Sequence, residues 1–316
     1  MSNLSTVYTH IRQNNIKTIL LVTLFPCIFI GLIFLFTWCV APLDEAIHTT
    51  TAVAIPTLCA CVIWMVISWS FGDSMMLNVA NAQEINNQDP QNREIFRLVE
   101  NTALAAGMPT PRVYIIEDNS LNAFATGRTP NDASVALTRG IINKLTPAEL
   151  RGVIAHEMAH IANRDIRLDM LLITGVGVTV FIADILGRNL TYTRNSSSNN
   201  DRNNSGAILF MVWLAFMVFN LIISPLLRMA ISRNREYSAD ATGAHITRDP
   251  LSLASALHKI STDSRIEALD RIPSMSTVCI AYPGHRHATL NTKLTATHPP
   301  IESRIERLES MAPGIK

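Results

Sequence analysis

The stretch that decides the interpretation of this chain is His156-Glu157-Met158-Ala159-His160, which has the pattern H-E-x-x-H. Just upstream, Thr146-Pro147-Ala148-Glu149 combines a capping hydroxyl, a proline at the first helical position and a glutamate three residues after the threonine, which is typical of a helix start. Residues four apart share one face of a helix, so His156 and His160 can bind one zinc ion. Glu157 lies beside them, where its carboxylate can take a proton from a zinc-bound water.

A chance match on an ordinary amphipathic helix is the alternative explanation of this pattern. Three fixed residue types coincide by accident on the order of once in a hundred chains of this length. Apolar residues also recur at helical spacing, so the predicted helix has a side to bury. These residues are Leu150, Val153, Ile154, Met158 and Ile161.

The composition points towards a membrane. Of the 316 residues 48% are hydrophobic and only 16% are charged, whereas soluble domains carry about 25% charged residues. The net charge of +1 gives no reason to expect a nucleic-acid partner. The five cysteines show no spacing that would indicate a disulfide framework.

Four apolar runs follow one another along the chain. Residues 18–40 and 51–71 carry no charge, and each run is long enough to cross a hydrocarbon core of roughly 30 Å as a helix. Residues 207–226 form another clear candidate, whereas residues 170–187 are interrupted by Asp184 and thinned by glycines. We therefore expect four membrane-associated helices, of which the second pair either crosses the bilayer or only dips into it as a hairpin.

Basic residues predict the orientation in the membrane. Arg12 and Lys17 precede the first run, whereas the short loop at 41–50 contains Asp44 and Glu45 and no Lys or Arg. The positive-inside rule then places the amino terminus and the H-E-x-x-H motif in the cytoplasm. Arginines of the polar Asn/Ser-rich loop between the third and fourth runs argue the other way, namely Arg188, Arg194 and Arg202.

The segment between the second run and the motif predicts a helix followed by a small sheet. Residues 90–106 have helical periodicity, and residues 112–117 are β-branched and aromatic. Residues 133–138 alternate well enough to pair with residues 122–127 across a turn at 128–132. The expected fold class is α+β, mainly helical, with the last strand at the sheet edge near the metal.

A third zinc ligand is expected downstream, because two histidines and a water leave a tetrahedral zinc one protein ligand short. Glu236 and Asp240 lie one helical turn apart, just after the fourth apolar run. Glu236 is the candidate ligand, and Asp240 can accept a hydrogen bond from the far nitrogen of a ligating histidine. Weaker candidates are the scattered histidines, His245, His258, His285, His287 and His298.

Taken together, these motifs resemble the HtpX family of membrane zinc metallopeptidases. The same family carries the stretch at residues 122–127 and the Thr-His-Pro-Pro-Ile-Glu stretch at residues 297–302, and the resemblance covers essentially the whole chain. It implies a zinc-dependent endopeptidase of the bacterial inner membrane, related to the CaaX prenyl proteases, that clears damaged or misfolded membrane proteins in quality control and stress response. It also implies a multi-pass topology in which the active site and both termini face the cytoplasm. The Asn/Ser-rich loop departs from the family pattern.

The resemblance assigns His156, His160 and Glu236 as ligands of one Zn²⁺ per chain and Glu157 as the general base. Asp240 is then the carboxylate that accepts a hydrogen bond from a ligating histidine. It implies an extended substrate along a strand edge made by Asn122, Ala123, Phe124, Ala125, Thr126 and Gly127. Expected partners are the lipid bilayer and unfolded or misfolded membrane proteins, and the sequence indicates no oligomeric state. His298 either lies near the site or only precedes a helix opened by Pro299.

The domain organisation follows from the apolar runs and the motifs. We expect a two-span membrane hairpin at 1–72 and the first half of a zincin-like catalytic domain at 73–168. A second membrane hairpin with its polar loop follows at 169–228, and the second half of the catalytic domain, with the third ligand, at 229–316.

Three alternatives remain open at this point. The first is a non-catalytic membrane scaffold or holdase that keeps zinc for stability, although a structural zinc site usually has four protein ligands and no use for Glu157. The second is a prenyl-protein protease, for which four spans look too few. The third concerns the metal, since His, His and Glu would also bind manganese or cobalt, with availability favouring zinc.

Overall fold

The computed structural model describes residues 2–39, 42–195, 203–223, 233–261, 279–280 and 299–312. The chain divides into two compact units that are both discontinuous in sequence. One unit contains Met1–Asn14, Phe71–Met170 and Arg228–Lys316. The other contains Asn15–Ser70 and Leu171–Leu227.

Four long helices supply the described residues of the second unit, and three of them also have residues in the first unit. They are α1 (Ser2–Trp38), α2 (Leu43–Val79), α6 (Asp165–Asn195) and α7 (Asn203–Val218), the last followed by a π-helical turn at Phe219–Ile223. Inside this unit the ring of Phe29 lies 4.6 Å from the rings of both Phe216 and Phe219, measured between centroids. Thr179 donates a hydrogen bond to Asn220 Oδ1 at 2.7 Å.

Two helices in the described residues are long and apolar enough to cross a membrane, Leu43–Val79 and Asp165–Leu190. Shorter apolar helical stretches occur at Pro26–Leu35 and Phe210–Leu221. The parts of the four apolar runs that the structure describes are thus helical, and a set of four membrane helices stays a prediction.

The first unit contains a mixed four-stranded sheet. Its strands are β1 (Ala82–Ile85), β2 (Arg112–Ile116), β3 (Ala123–Thr126) and β4 (Ser134–Thr138), in the spatial order β1-β2-β4-β3. The predicted hairpin is confirmed, because β3 pairs antiparallel with β4. Gly127 closes it at φ 132°, where an added Cβ would lie 2.9 Å from backbone atoms of the turn.

The predicted place of the last strand is wrong. β4 lies inside the sheet, because its other side pairs in parallel with β2, and β3 is the edge strand. All five residues of β4 are buried, which is typical of a central strand covered on both faces. The sequence pattern showed the hairpin but not the parallel pairing, nor the short strand β1.

Helix α5 (Pro147–Ala162) is the central element of the first unit. The other helices that lie wholly in this unit are α3 (Arg93–Ala105), α4 (Arg139–Lys144), α8 (Arg233–Thr247), α9 (Pro250–Ile260) and α10 (Ile301–Ser310). Direct neighbours of α5 include α3, α8, α9 and β3. It is therefore buried on nearly all sides, whereas the sequence predicted only one apolar side.

The start of α5 has the predicted capping box. Thr146 Oγ1 accepts from the Glu149 amide, and Glu149 Oε2 accepts from the Thr146 amide at 2.8 Å. Ser255 and Lys259 of α9 donate to the same carboxylate at 2.6 and 2.7 Å. Burial opposes ionisation of Glu149, but these hydrogen bonds outweigh it and lower its pKa to about 2. One carboxylate thus fixes the start of α5 and attaches α9 to it.

Helix α8 comes close to α5 because Gly243 has no side chain. A Cβ at this position would lie 3.0 Å from the backbone nitrogen of His156 and 3.1 Å from its Cα. Both atoms belong to a helical backbone, so they cannot move separately from the rest of α5. The glycine therefore sets the distance between the two helices at the position of His156.

We expect Gly243→Ala to destabilise the protein and weaken metal binding, because the added methyl must push α8 away from His156. Overpacking of this kind costs about 1–3 kcal/mol. The matched control is Gly177→Ala on α6, where no atom lies within 4 Å of the added Cβ. Thermal unfolding and zinc affinity in detergent measure both effects, and equal values for the two variants would contradict the prediction.

Candidate metal centre

Helices α5 and α8 bring three possible metal ligands together. The Nε2 atoms of His156 and His160, one turn apart on α5, lie 3.1 Å from each other. On α8, Glu236 has its Oε2 3.7 Å from Nε2 of His156 and its Oε1 3.7 Å from Nε2 of His160. His156 and Glu236 are buried, whereas 12% of the His160 side chain is exposed. This side therefore remains open for a small molecule to approach.

The spacing of these three residues suits one metal ion. Bond lengths of 2.0–2.2 Å imply a separation of about 3.3 Å between the ligands of a tetrahedral zinc. The two imidazole nitrogens lie 3.1 Å apart, each has a different oxygen of Glu236 at 3.7 Å, and one ligand atom from each residue lies within 4.8 Å of the others. Two imidazole nitrogens and a carboxylate oxygen are also ligand types that a divalent transition metal accepts. The buried group could therefore hold a metal ion.

Each imidazole has a carboxylate behind it. The Nδ1 atom of His156 lies 2.9 Å from Asp240 Oδ1, and the Nδ1 atom of His160 lies 2.8 Å from Asp165 Oδ2. A carboxylate at Nδ1 fixes the ring orientation and leaves Nε2 for the ion. Asp240 has the position predicted for it, one turn after Glu236, whereas Asp165 at the start of α6 is an addition from the structure.

Arg304 of α10 holds Asp240 in place. Its Nε and Nη2 atoms donate to the two oxygens of Asp240, both at 2.8 Å, and it is only 1% exposed. Burial opposes ionisation of Asp240, but Arg304 outweighs this effect and lowers the pKa of the carboxyl to about 2. Arg304 Nη1 also lies 3.5 Å from Glu236 Oε2. One arginine therefore contacts both the candidate ligand Glu236 and Asp240, the carboxylate next to the candidate ligand His156.

Glu157 is buried next to the ligand group. Burial raises its pKa to about 7, and the carboxylate of Glu236 adds to this rise, while His160, Arg304 and a hydrogen bond from the Ala125 backbone oppose it. A carboxyl with a pKa near neutrality can both accept and return a proton in the physiological range. The Ala125 amide belongs to the edge strand β3, so Glu157 lies between the ligand group and that edge.

Comparison with known proteins shows the family of this chain. Residues 89–312, which include the candidate site, match the model of Peptidase family M48. The chain belongs to Peptidase family M48. It is 36% identical to the "Protease HtpX homolog" of Bacteroides fragilis over 96% of this chain and 98% of that protein. It is 38% identical to the "Protease HtpX homolog" of Lactobacillus helveticus over 96% of this chain and all of that protein. The resemblance to the HtpX family is confirmed.

A solved structure is also similar, the crystal structure of Ste24p from S. mikatae. The match covers 96% of this chain and 67% of that protein, with 16% sequence identity and a TM-score of 0.47.

In this M48 chain the structure brings most of the predicted site residues together. His156, His160 and Glu236 form one group, Glu157 lies beside it, and Asp240 lies behind His156. Of the predicted substrate stretch, Ala123 to Thr126 form the edge strand β3, with Asn122 before it and Gly127 after it. His298 lies outside the described residues.

Several site residues were not predicted from the sequence. Arg235 donates to Asp169 Oδ2 at 2.5 Å, and its Nε lies 3.7 Å from Asp165 Oδ1. The sequence did hold a signal for Asp165, because this carboxylate follows His160 by only five residues. In the structure a tight turn, in which Arg164 has φ 59°, lies between the two residues. The others are joined only by contacts between distant parts of the chain. They are Asn14, Asp169, Arg235, Cys279, Ile280 and Arg304.

We expect Glu236→Ala to lower zinc affinity by more than about 100-fold. Mutation of a residue that only hydrogen-bonds to a metal ligand lowers metal affinity by about 10- to 100-fold, and loss of a direct ligand should have a larger effect. The matched control is Glu306→Ala, which removes an exposed carboxylate on α10. Zinc content after competition with a chelator measures the difference. Full zinc occupancy in Glu236→Ala would contradict the assignment of Glu236 and would make the remaining histidines the candidates for the third ligand.

Proposed function

We propose that this M48 chain is a membrane-bound, zinc-dependent endopeptidase that cleaves peptide bonds of misfolded or damaged membrane proteins. The observation that carries the proposal is the buried Glu157 beside a group of three possible ligands in the described residues. Three protein ligands leave a coordination position for water, which is typical of catalytic rather than structural zinc. A zinc-containing scaffold or holdase would give no reason to bury a carboxylate at this place.

The chain's own residues then have distinct roles in hydrolysis. When zinc is bound by His156, His160 and Glu236, it supplies a Lewis acid for the attacking water and the peptide carbonyl. Glu157 accepts a proton from the water as it attacks, and returns this proton to the nitrogen of the leaving amine. A pKa of about 7 suits both steps. Asp240 and Asp165 hold the imidazoles so that the ligand geometry is set before the substrate arrives.

Substrate is proposed to bind as an additional strand along β3. The outer side of this edge includes the Ala123 carbonyl, which accepts from the Ile280 amide at 3.0 Å, and the Ala125 amide, which donates to Glu157. The edge thus already binds a backbone amide of the chain itself, next to the proposed base. A substrate in this position replaces Ile280 at Ala123. Hydrogen bonds to the main chain of a substrate do not depend on its side chains, so we expect the enzyme to accept many substrate sequences.

We further infer that the protein lies in the bacterial inner membrane as a multi-pass protein, with its active site and both termini in the cytoplasm. The two long apolar helices, α2 and the first part of α6, support the membrane location. Arg12 and Lys17 before the first apolar run, and Arg164 and Arg167 before the third, support the orientation. The proposed domains are hairpins at 1–72 and 169–228 and catalytic halves at 73–168 and 229–316.

Glu157→Gln is expected to bind zinc like the wild type and to lose cleavage by about 100- to 10,000-fold, because the amide cannot take the proton. The assay is cleavage of casein or an unfolded membrane protein by detergent-purified protein, with zinc restored after chelation. Glu302→Gln, on the exposed side of α10, is the matched control. Loss of zinc from Glu157→Gln would indicate a structural role for this carboxyl.

A topology reporter tests the proposed orientation. Asn200 lies in the polar loop outside the described residues, and a phosphatase that is active only outside the cytoplasm should be active when fused there. The same phosphatase fused after Lys316 is the control and should be inactive. An inactive Asn200 fusion that is nonetheless produced in full would mean that the second hairpin does not cross the bilayer.

A further inference from the structure

The metal centre has a contact with the amino-terminal helix. Asn14 of α1 donates from Nδ2 to Asp165 Oδ1 at 2.6 Å, and the other oxygen of Asp165 lies 2.8 Å from Nδ1 of His160. Asn14 is 5% exposed and Asp165 is 1% exposed. The side chain of Asn14 is therefore two hydrogen bonds away from a candidate ligand, without water between them to weaken the connection.

The same amide also binds the end of the ligand helix. Asn14 Nδ2 donates to the carbonyl of Asn163 at 3.0 Å, and Asn163 is the residue that caps the carboxyl end of α5. Carbonyls at a helix end have no partner within the helix and need one elsewhere. The Asn163 carbonyl and Asp165 Oδ1 are both acceptors, and an amide NH₂ offers two hydrogens without adding charge. An asparagine thus fits this position better than an aspartate or an apolar residue.

The position of Asp165 explains why such a contact is useful. The residue follows the tight turn between α5 and α6, so its carboxylate could rotate away from His160 if nothing held its second oxygen. Arg235 contributes only a longer contact to that oxygen, at 3.7 Å from its Nε, because its Nη2 donates to Asp169. Asn14 provides the short hydrogen bond.

We propose that Asn14 is a positioning residue of the metal centre, which holds Asp165 and, through it, the ring of His160. The amino-terminal helix is then a component of the site as well as a membrane segment, although 149 residues of sequence separate Asn14 from Asn163. This inference rests on the metal-binding part of the proposed function and is independent of peptide cleavage.

The test compares zinc dissociation constants of full-length protein in detergent, measured by competition with a chelator. Asn14→Leu removes both donors at similar volume, and Asn14→Asp keeps the shape while placing a second carboxylate against Asp165. We expect about tenfold weaker zinc binding for Asn14→Leu, and a larger loss for Asn14→Asp. The control, Gln13→Leu, removes the neighbouring exposed amide on the same helix and should bind zinc like the wild type.

Two further readouts separate positioning from a purely structural role. Cobalt-substituted protein should show altered visible absorption bands in both Asn14 variants, because these bands report ligand geometry. Thermal unfolding of the metal-free proteins reports the fold alone. Unchanged zinc affinity in both Asn14 variants would overturn the proposal. It would do so even if the metal-free variants unfold at a lower temperature, because Asn14 would then affect only the stability of the fold. A wild type that binds no zinc would reject the metal centre itself, whereas metal binding without cleavage would reject only the peptidase activity.

Discussion

The close crossing of α5 and α8 is the constraint on which the rest of the site depends. Glu236, Asp240 and Gly243 are separated by four and three residues, so they share one face of α8. Gly243 lets this face approach the backbone of His156, and the two carboxylates then reach opposite ends of the same imidazole. Glu236, Asp240 and Gly243 thus owe their positions to one repeat of the same helix. A shift of α8 would therefore move all three of them relative to His156.

The charges around the crossing are compatible with a bound cation. Among the described residues near the ligands, five buried carboxyl groups face only two buried arginines, Arg235 and Arg304. Buried charges are stable only when they are paired. Burial raises the pKa of both Glu157 and Asp169. The raised pKa values favour the neutral carboxyl groups and so remove part of the excess negative charge. A divalent ion between the histidines and Glu236 would add positive charge next to the carboxylates that remain ionised. The other three carboxyl groups are those of Asp165, Glu236 and Asp240.

Local signals explain which parts of the structure could be predicted from sequence. The capping box and the spacing of His156 and His160 depend on residues within a few positions of one another, and the hairpin of β3 and β4 depends on a short turn. The parallel pairing of β4 with β2, and the contacts of Asn14 and Arg304, join residues that are distant in sequence. Nothing in the local pattern marks them, because an asparagine near a membrane helix or an arginine on an amphipathic helix has many ordinary uses. Glu236 is intermediate, since its place just after the fourth apolar run and its spacing to Asp240 narrowed the choice of a third ligand.

The order in which the ribosome makes these elements has a consequence for the growing chain. Both histidines and Glu157 are synthesised before the segment Leu171–Leu227, whereas Glu236, Asp240 and Arg304 follow it. While that apolar segment is being made, the nascent chain has both histidines and Glu157 but not yet Glu236. If the proposed mechanism holds, the newly made chain thus lacks its third ligand at this stage, and the site is complete only when the last helices have folded onto the rest of the unit.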